Sequence, residues 1–199
     1  MSASDIALIL IDIQKDFWIP LKKFHQFLDF PNKIANLLKE GRKKGFLIIH
    51  IKSVFQPDQS DWMLFYKPEG RGAIPCIKGS EGSNFTSFAY PKPFEKIIIK
   101  QTFDAFANTN LEDYLKKNKI KSVLVAGLET SVCVLFTATS AYNRQLLPLV
   151  VEDACADTPK RHETAIQMYI DLCFKTTTTQ QIVKDFNSIT HQINKFRKN

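Results

Sequence analysis

Continuous apolar runs alternate along this chain with amphipathic stretches. Ile6 to Ile11 is uninterrupted apolar sequence, which predicts a strand buried on both faces. Pro31 through Lys44 carries Ile34, Leu37 and Leu38 at helical spacing, with Gly45 as a stop signal. Phe46 to Ile51 predicts a second strand and Ile97 to Ile99 the core of a third. Asn110 stands where it can cap a helix carrying Leu111, Tyr114 and Leu115. Val123 to Ala126 predicts a fourth strand, and Val134 to Tyr142 has the composition of a buried helix. Leu146 to Val151 predicts a fifth strand, in which Pro148 favours a bulge. His162 to Asp171 predicts a helix, Cys173 to Thr176 a short sixth strand, and a final helix starts near Thr179.

Strands alternating with helices predict an α/β fold, a three-layer α/β/α arrangement around a mainly parallel six-stranded sheet. The rhythm breaks between Lys52 and Lys96. Pro57, Pro68, Pro75, Pro91 and Pro93 gather there with Gly70, Gly72, Gly79 and Gly82, alongside Trp62, Phe65 and Tyr66. So long a connection serves as a lid, a binding loop or an interface. Nothing in the sequence marks a repeat or a boundary, so residues 1–199 read as one domain.

Composition narrows the classes. The chain has 199 residues, 44% of them hydrophobic, enough for a full core. It has no run of about 18 apolar residues, which predicts no membrane span. The segment Met1-Ser2-Ala3-Ser4-Asp5 lacks the basic start of a signal peptide. Cys76, Cys133, Cys155 and Cys173 have neither metal-like nor CxxC spacing. Scattered free thiols without a secretion signal predict a cytoplasmic protein. The net charge is +7, but the lysines are spread along amphipathic helices and the basic tail from Asn194 to Asn199 is short. That pattern argues against nucleic acid as a partner and leaves a small-molecule substrate, anionic ones included, since a positive field would steer them.

Candidate chemistry follows from position. In a parallel α/β sheet, ligands bind at the carboxyl ends of the strands. Asp12 directly follows the first strand, Lys100 the third, and Cys133 lies just beyond the fourth, where strand gives way to helix. A thiol in the first turn of a helix is expected to have a lowered pKa. A thiolate can attack a carbonyl carbon, a carboxylate can carry its proton, and a lysine can bias both. None of His25, His50, His162 and His191 is placed for a Cys–His dyad, so the base is sought among the carboxylates.

These segments resemble the isochorismatase-like cysteine hydrolase superfamily over most of the chain. Leu8-Ile9-Leu10-Ile11-Asp12-Ile13-Gln14-Lys15-Asp16-Phe17 resembles its opening "D-x-Q-x-D-F" signature. The stretch from Ile99-Lys100 through Ala105-Phe106 to Thr109-Asn110-Leu111 resembles its lysine motif. Gly127-Leu128-Glu129-Thr130-Ser131-Val132-Cys133-Val134 resembles its nucleophile motif, and Val151-Glu152-Asp153-Ala154 its "DA" element. The resemblance implies an isochorismatase-like, Rossmann-like fold and a catalytic triad of Asp12, Lys100 and Cys133. It implies a cis peptide between Leu128 and Glu129, with the backbone amides of Glu129 and Cys133 at the oxyanion. Homodimers or homotetramers are the assemblies it leads one to expect. The nicotinamidase branch carries an Asp-x-His metal site after the second strand, which His50-Ile51-Lys52-Ser53-Val54-Phe55-Gln56-Pro57-Asp58 lacks, so no metal or other cofactor is expected. Isochorismatases proper lack the nucleophilic cysteine, so Cys133 points to the branches that cleave amide, carbamoyl or ureido compounds. Gln14, Phe17, Trp18, Trp62 and Phe106 are the candidate substrate contacts, with Phe65 and Tyr66 as further aromatics and Arg71 to Gly79 as a segment that closes the site. The alternatives are a non-catalytic scaffold or nucleic-acid-associated protein that keeps the fold, and a thiol redox sensor.

Overall fold

The computed structural model describes residues 2–67 and 74–198. Six strands, β1 (Ile6–Ile11), β2 (Leu47–Ser53), β3 (Lys96–Lys100), β4 (Ser122–Leu128), β5 (Leu147–Ala156) and β6 (Lys175–Thr177), form one sheet. Its order is β3-β2-β1-β4-β5-β6 and every neighbouring pair is parallel. The helices are α1 (Lys15–Trp18), α2 (Phe30–Lys44), α3 (Leu111–Lys117), α4 (Leu135–Asn143), α5 (Pro159–Tyr169), α6 (Thr179–Lys184) and α7 (Phe186–Lys198).

The apolar run of β1 divides by parity because side chains alternate across a strand. Ile6, Leu8 and Leu10 join one core with Ile34 and Leu37 of α2, Ile182 of α6 and Ile189 of α7. Ala7, Ile9 and Ile11 join a second core with Leu111 and Leu115 of α3 and Ala138 and Ala141 of α4. A strand covered on both faces therefore needs apolar residues at every position, and each large one contributes about 2 kcal/mol on burial. Gly45 ends α2 at φ 80°, its N–H turned back to the carbonyls of Gly41 and Arg42. The strand order reverses between β1 and β4, which opens a crevice beyond their carboxyl ends.

Several local expectations are corrected. Pro148 pairs regularly with Val123; pairing with β6 starts only at Leu149, so the missing N–H breaks no bond on that side. The bulge lies later, where the step from Val125 to Gly127 on β4 matches the step from Val150 to Cys155 on β5. The residues it accommodates include Asp153, which accepts from the Thr179 N–H (2.8 Å) and hydroxyl (2.6 Å) and so holds the first turn of α6. The start of α3 is capped not by the Asn110 side chain but by the Thr109 hydroxyl, which accepts from Leu111 N–H at 3.2 Å. The last helix breaks at Asp185, whose ψ of 57° leaves the helical region. Cys133 lies not in regular α-helix but in a π turn, Thr130–Val134, that precedes α4. The long connection holds two short 3-10 turns, Leu64–Tyr66 and Ser87–Ala89. Among the described residues no helix is long and apolar enough to cross a membrane.

Candidate active site

The four strands nearest the crevice each deliver one polar residue to it. Asp12 follows β1, Ser53 ends β2, Lys100 ends β3 opposite Ser53 in register, and Cys133 follows β4. Asp12 has φ 48°, a left-handed conformation that aspartate tolerates better than most residues. Its N–H still bonds Ile51 O (3.1 Å), while its carbonyl accepts from Gln14 N–H (2.7 Å) and turns the chain sharply. Gly127 pairs with Ile11 at the mouth of the crevice. It has φ 129°, and a Cβ there would lie 2.1 Å from Ile11 O, so only glycine lets β4 approach so closely. The next peptide bond but one, Leu128–Glu129, is cis.

Lys100 is the hub. Its ammonium donates to Ser53 Oγ (2.9 Å), Thr102 O (2.8 Å) and Cys133 Sγ (3.4 Å). Those bonds use all the hydrogens an ammonium has. Asp12 Oδ2 lies 2.6 Å from the same nitrogen, a buried ion pair. Asp12 Oδ1 accepts from Ser53 Oγ (3.0 Å). The carboxylate is therefore held through both oxygens, each of which has a second lone pair for an incoming proton.

Burial acts first on the charges. It works against the Lys100 ammonium, but the anions of Asp12 and Cys133 outweigh it and hold the lysine above its ordinary pKa. Burial pushes the Cys133 thiol up; Lys100 pulls the other way, and Asp12 adds to the rise. The expectation of a lowered thiol pKa is thus corrected: desolvation beside a carboxylate outweighs the helix terminus. Burial thus favours the neutral thiol, while the surrounding anions favour the charged Lys100 ammonium.

The nucleophile turn is braced from outside. Glu129 O accepts from the N–H groups of Val132 (3.1 Å) and Val134 (3.2 Å), the residues flanking Cys133. Ser131 donates from its N–H (2.9 Å) and hydroxyl (2.6 Å) to Asp157 Oδ2, and Thr130 Oγ1 bonds His162 Nδ1 (2.8 Å). Asp157 is fully buried. Sequence reasoning missed it, because Asp157-Thr158-Pro159 reads as a helix start; instead the carboxylate ties β5 to the turn that carries the thiol.

The isochorismatase domain profile matches residues 6–181. The chain belongs to the isochorismatase family. An uncharacterized isochorismatase family protein of Bacillus subtilis (strain 168), YrdC, is 28% identical over 90% of this chain and 95% of its own. The crystal structure of a cysteine hydrolase from Pseudomonas syringae pv. phaseolicola shares the fold, with a TM-score of 0.81 and 18% identity over 94% of this chain and 95% of that one. The ureidoacrylate amidohydrolase RutB of Stutzerimonas stutzeri is 23% identical over 77% of this chain and 71% of its own. The protein is thus of a hydrolase family with amidohydrolase relatives.

In this isochorismatase-family chain, Asp12, Ser53, Lys100 and Cys133 form part of the wall of a cavity of about 760 Å³, large enough for a small-molecule substrate. Of the candidate substrate contacts, Phe17 lines it. The other four lie elsewhere. Gln14 is fully buried; its amide nitrogen donates to Ser53 O and Ser83 O (2.8 Å each), and its oxygen accepts from Ser53 N–H (2.8 Å). It positions Ser53 and the long connection. Trp18 stacks on Phe30 (4.9 Å) in the first core. Trp62 donates to Gln56 O (2.8 Å) and packs with Phe55. Phe106 is buried in the second core, with the Arg144 guanidinium over its ring. The aromatic walls are instead Phe17, Phe65, Tyr66 and Phe103. Asp16 takes a structural part as well: it accepts from Cys76 N–H (2.7 Å), and its carboxylate occupies the space where a Cβ on Gly82 would stand. The opening motif thus places Asp12 in the cavity wall and uses Gln14 and Asp16 to anchor the connection. In the closing segment, Ile74, Pro75 and Ile77 line the cavity, and residues 71–73 lie outside the described residues.

Proposed function

We propose that this protein is a cysteine hydrolase that cleaves a C–N bond of a small, non-peptide amide, carbamoyl or ureido compound through a thioester-type intermediate. One observation carries the reading. Lys100 Nζ stands 2.6 Å from Asp12 Oδ2 and 3.4 Å from Cys133 Sγ, with all of them on one cavity wall.

The thiol proton passes to Asp12 Oδ2 as the sulfur attacks the carbonyl carbon. A C–S bond forms, and the carbonyl electron pair moves to oxygen, where the backbone N–H groups of Glu129 and Cys133 meet it. Collapse re-forms the carbonyl and breaks the C–N bond; the leaving nitrogen takes the proton from Asp12. Asp12 then accepts a proton from water, the resulting hydroxide attacks the thioester carbon, and the C–S bond breaks. The sulfur recovers the proton from Asp12. Lys100 stays protonated throughout, offering its charge to whichever of sulfur and carboxylate is the anion. The amidohydrolase name of a relative supports the bond class.

The test is a panel of carboxamides, carbamoyl and ureido compounds incubated with wild type and with Cys133→Ala, with ammonia assayed and intact mass recorded after acid quench. Ammonia release by wild type alone, with an acyl or carbamoyl mass on the quenched protein, is the expected result. Equal release by both proteins defeats the reading. Salt-sensitive RNA or DNA binding that survives the substitution, with no ammonia from any compound, replaces it with the scaffold alternative.

A further inference from the structure

The chain as a whole carries +7, yet the cavity around Cys133 has the opposite balance. Among its described lining residues, the carboxylates of Asp12, Asp16 and Glu129 face the cations Lys100 and Arg161. Most of these charges are engaged. Lys100 and Asp12 hold each other, and Asp16 accepts from Cys76 N–H. Arg161 stands at the rim, 54% exposed, within 3.9 Å of Asp157. Glu129 differs: it is half-buried in the wall, and among the described residues its carboxylate receives no hydrogen bond. Burial pushes its carboxyl above the ordinary value, and Asp157 adds to the rise against Arg161. A carboxylate so placed is costly until a donor reaches it.

Two neighbouring features say what that donor is. Tyr66 lines the same cavity as Glu129, near enough to feel its charge. Phe65 packs edge-on to Tyr66 (5.2 Å) and to Phe103 (5.8 Å). Aromatic faces beside a carboxylate suit a cation. Glu129 also supplies one of the backbone N–H groups assigned above to the oxyanion. A side chain on the residue that supplies that N–H is placed to meet a group close to the scissile carbonyl.

We propose that Glu129 is the specificity-determining residue of this site, and that its carboxylate holds an ammonium or comparable N–H donor on the carbon next to the scissile carbonyl of an otherwise apolar, aromatic amide. This inference rests on the cysteine hydrolase reading. It also predicts discrimination against compounds carrying a carboxylate at that position, despite the net basic charge of the chain.

The test compares L- and D-phenylalaninamide with 3-phenylpropanamide, which lacks only the amine, and with 2-carbamoyl-3-phenylpropanoic acid, which carries a carboxylate in place of the amine. Two readouts are taken: ammonia release by wild type and by Glu129→Gln, and calorimetric binding to Cys133→Ala with and without Glu129→Gln. Thermal unfolding confirms that each variant folds. The expected result is a preference of at least about tenfold for a phenylalaninamide over both other compounds, in kcat/KM and in Kd, which Glu129→Gln reduces to about one. Ammonia release with no such preference, or with a preference that survives Glu129→Gln, overturns the role of Glu129 and leaves the hydrolase reading standing. Preferential binding abolished by Glu129→Gln but without ammonia release does the reverse. No binding of a phenylalaninamide at about 10 mM overturns the inference.

Discussion

Two of the buried groupings of acid and base among the described residues make an instructive pair, because one lines the cavity around Cys133 and the other does not. In the first, Asp12, Lys100 and Cys133 meet at the carboxyl ends of the strands. In the second, Glu95 joins Arg42 of α2 to His50 of β2. Residue types alone would favour the second, since a histidine–carboxylate pair is the commoner catalytic device. Their hydrogen bonds say otherwise. Glu95 Oε1 accepts from Arg42 Nε (2.7 Å), and Oε2 takes Arg42 Nη2 (2.9 Å), His50 Nε2 (2.9 Å) and Lys92 N–H (2.8 Å). Both oxygens are committed, and neither residue lines the described cavity. Asp12 lies in the cavity wall beside the Cys133 thiol, one oxygen bonded to Ser53 and the other facing Lys100, with lone pairs still to spare. A fully satisfied network clamps a fold; spare proton-accepting capacity next to a nucleophile permits chemistry.

The comparison breaks most sharply at Asp12. Asp12→Asn is expected to lower ammonia release by about 10³-fold or more, with little loss of fold by circular dichroism. The same change removes an anion that raises the thiol, so Lys100 recruits the sulfur as its counter-ion. Iodoacetamide should then label Cys133 roughly tenfold faster at pH 7, about one unit of pKa downward. Slower labelling would contradict the electrostatic account.

Glu95→Ala should leave the chemistry alone and unfold the clamp. It strands the Arg42 charge and the His50 ring, with an expected loss of about 3 kcal/mol in denaturant unfolding. Ammonia release at 20 °C should stay within about twofold of wild type, an effect below 1 kcal/mol. A large loss of turnover without a loss of stability would make the second cluster functional after all.

The pH dependence of stability sharpens the same contrast. Burial holds the His50 ring below its ordinary pKa, so the unfolded chain takes up the proton first and stability falls as pH drops below about 6.5. Burial also works against the Glu95 carboxylate, but Arg42, the Lys92 amide and His50 outweigh it and bring the group down from 4.5 to about 2. Its contribution is present above 4.5 and is lost as pH falls toward 2. Glu95→Ala should flatten that lower limb in urea titrations taken at successive pH values.

The smallest expected effect is at Ser53, which bridges Lys100 and Asp12. Ser53→Ala removes one charge-assisted bond from each. It should reduce kcat about tenfold, near 1.4 kcal/mol, with KM little changed. A KM effect alone would mean that Ser53 contacts substrate instead.

Much of this was legible in the chain. The uninterrupted Ile6–Ile11 run announced a strand covered on both faces, and the positions of Asp12, Lys100 and Cys133 after the first, third and fourth strands placed them on one edge. Such patterns survive in one dimension because burial and strand polarity act on each segment separately. The aromatics were legible only in part: Phe17, Phe65 and Tyr66 line the cavity, while Trp18, Trp62 and Phe106, which also read like wall residues, pack in cores, and Phe103 stands on the wall unforeseen. Which side of a loop a ring faces depends on what packs behind it.

The amino-acid order thus determined the α/β architecture, the family and the sheet edge shared by Asp12, Lys100 and Cys133, since periodicity and motif spacing carry them directly. Tertiary structure decided the burial that raises the Cys133 thiol, the bracing by Ser53, Gln14 and Asp157, and the place of Glu129 in the cavity wall. Each of these depends on burial and on charges brought together across tens of residues, and local sequence holds no record of either.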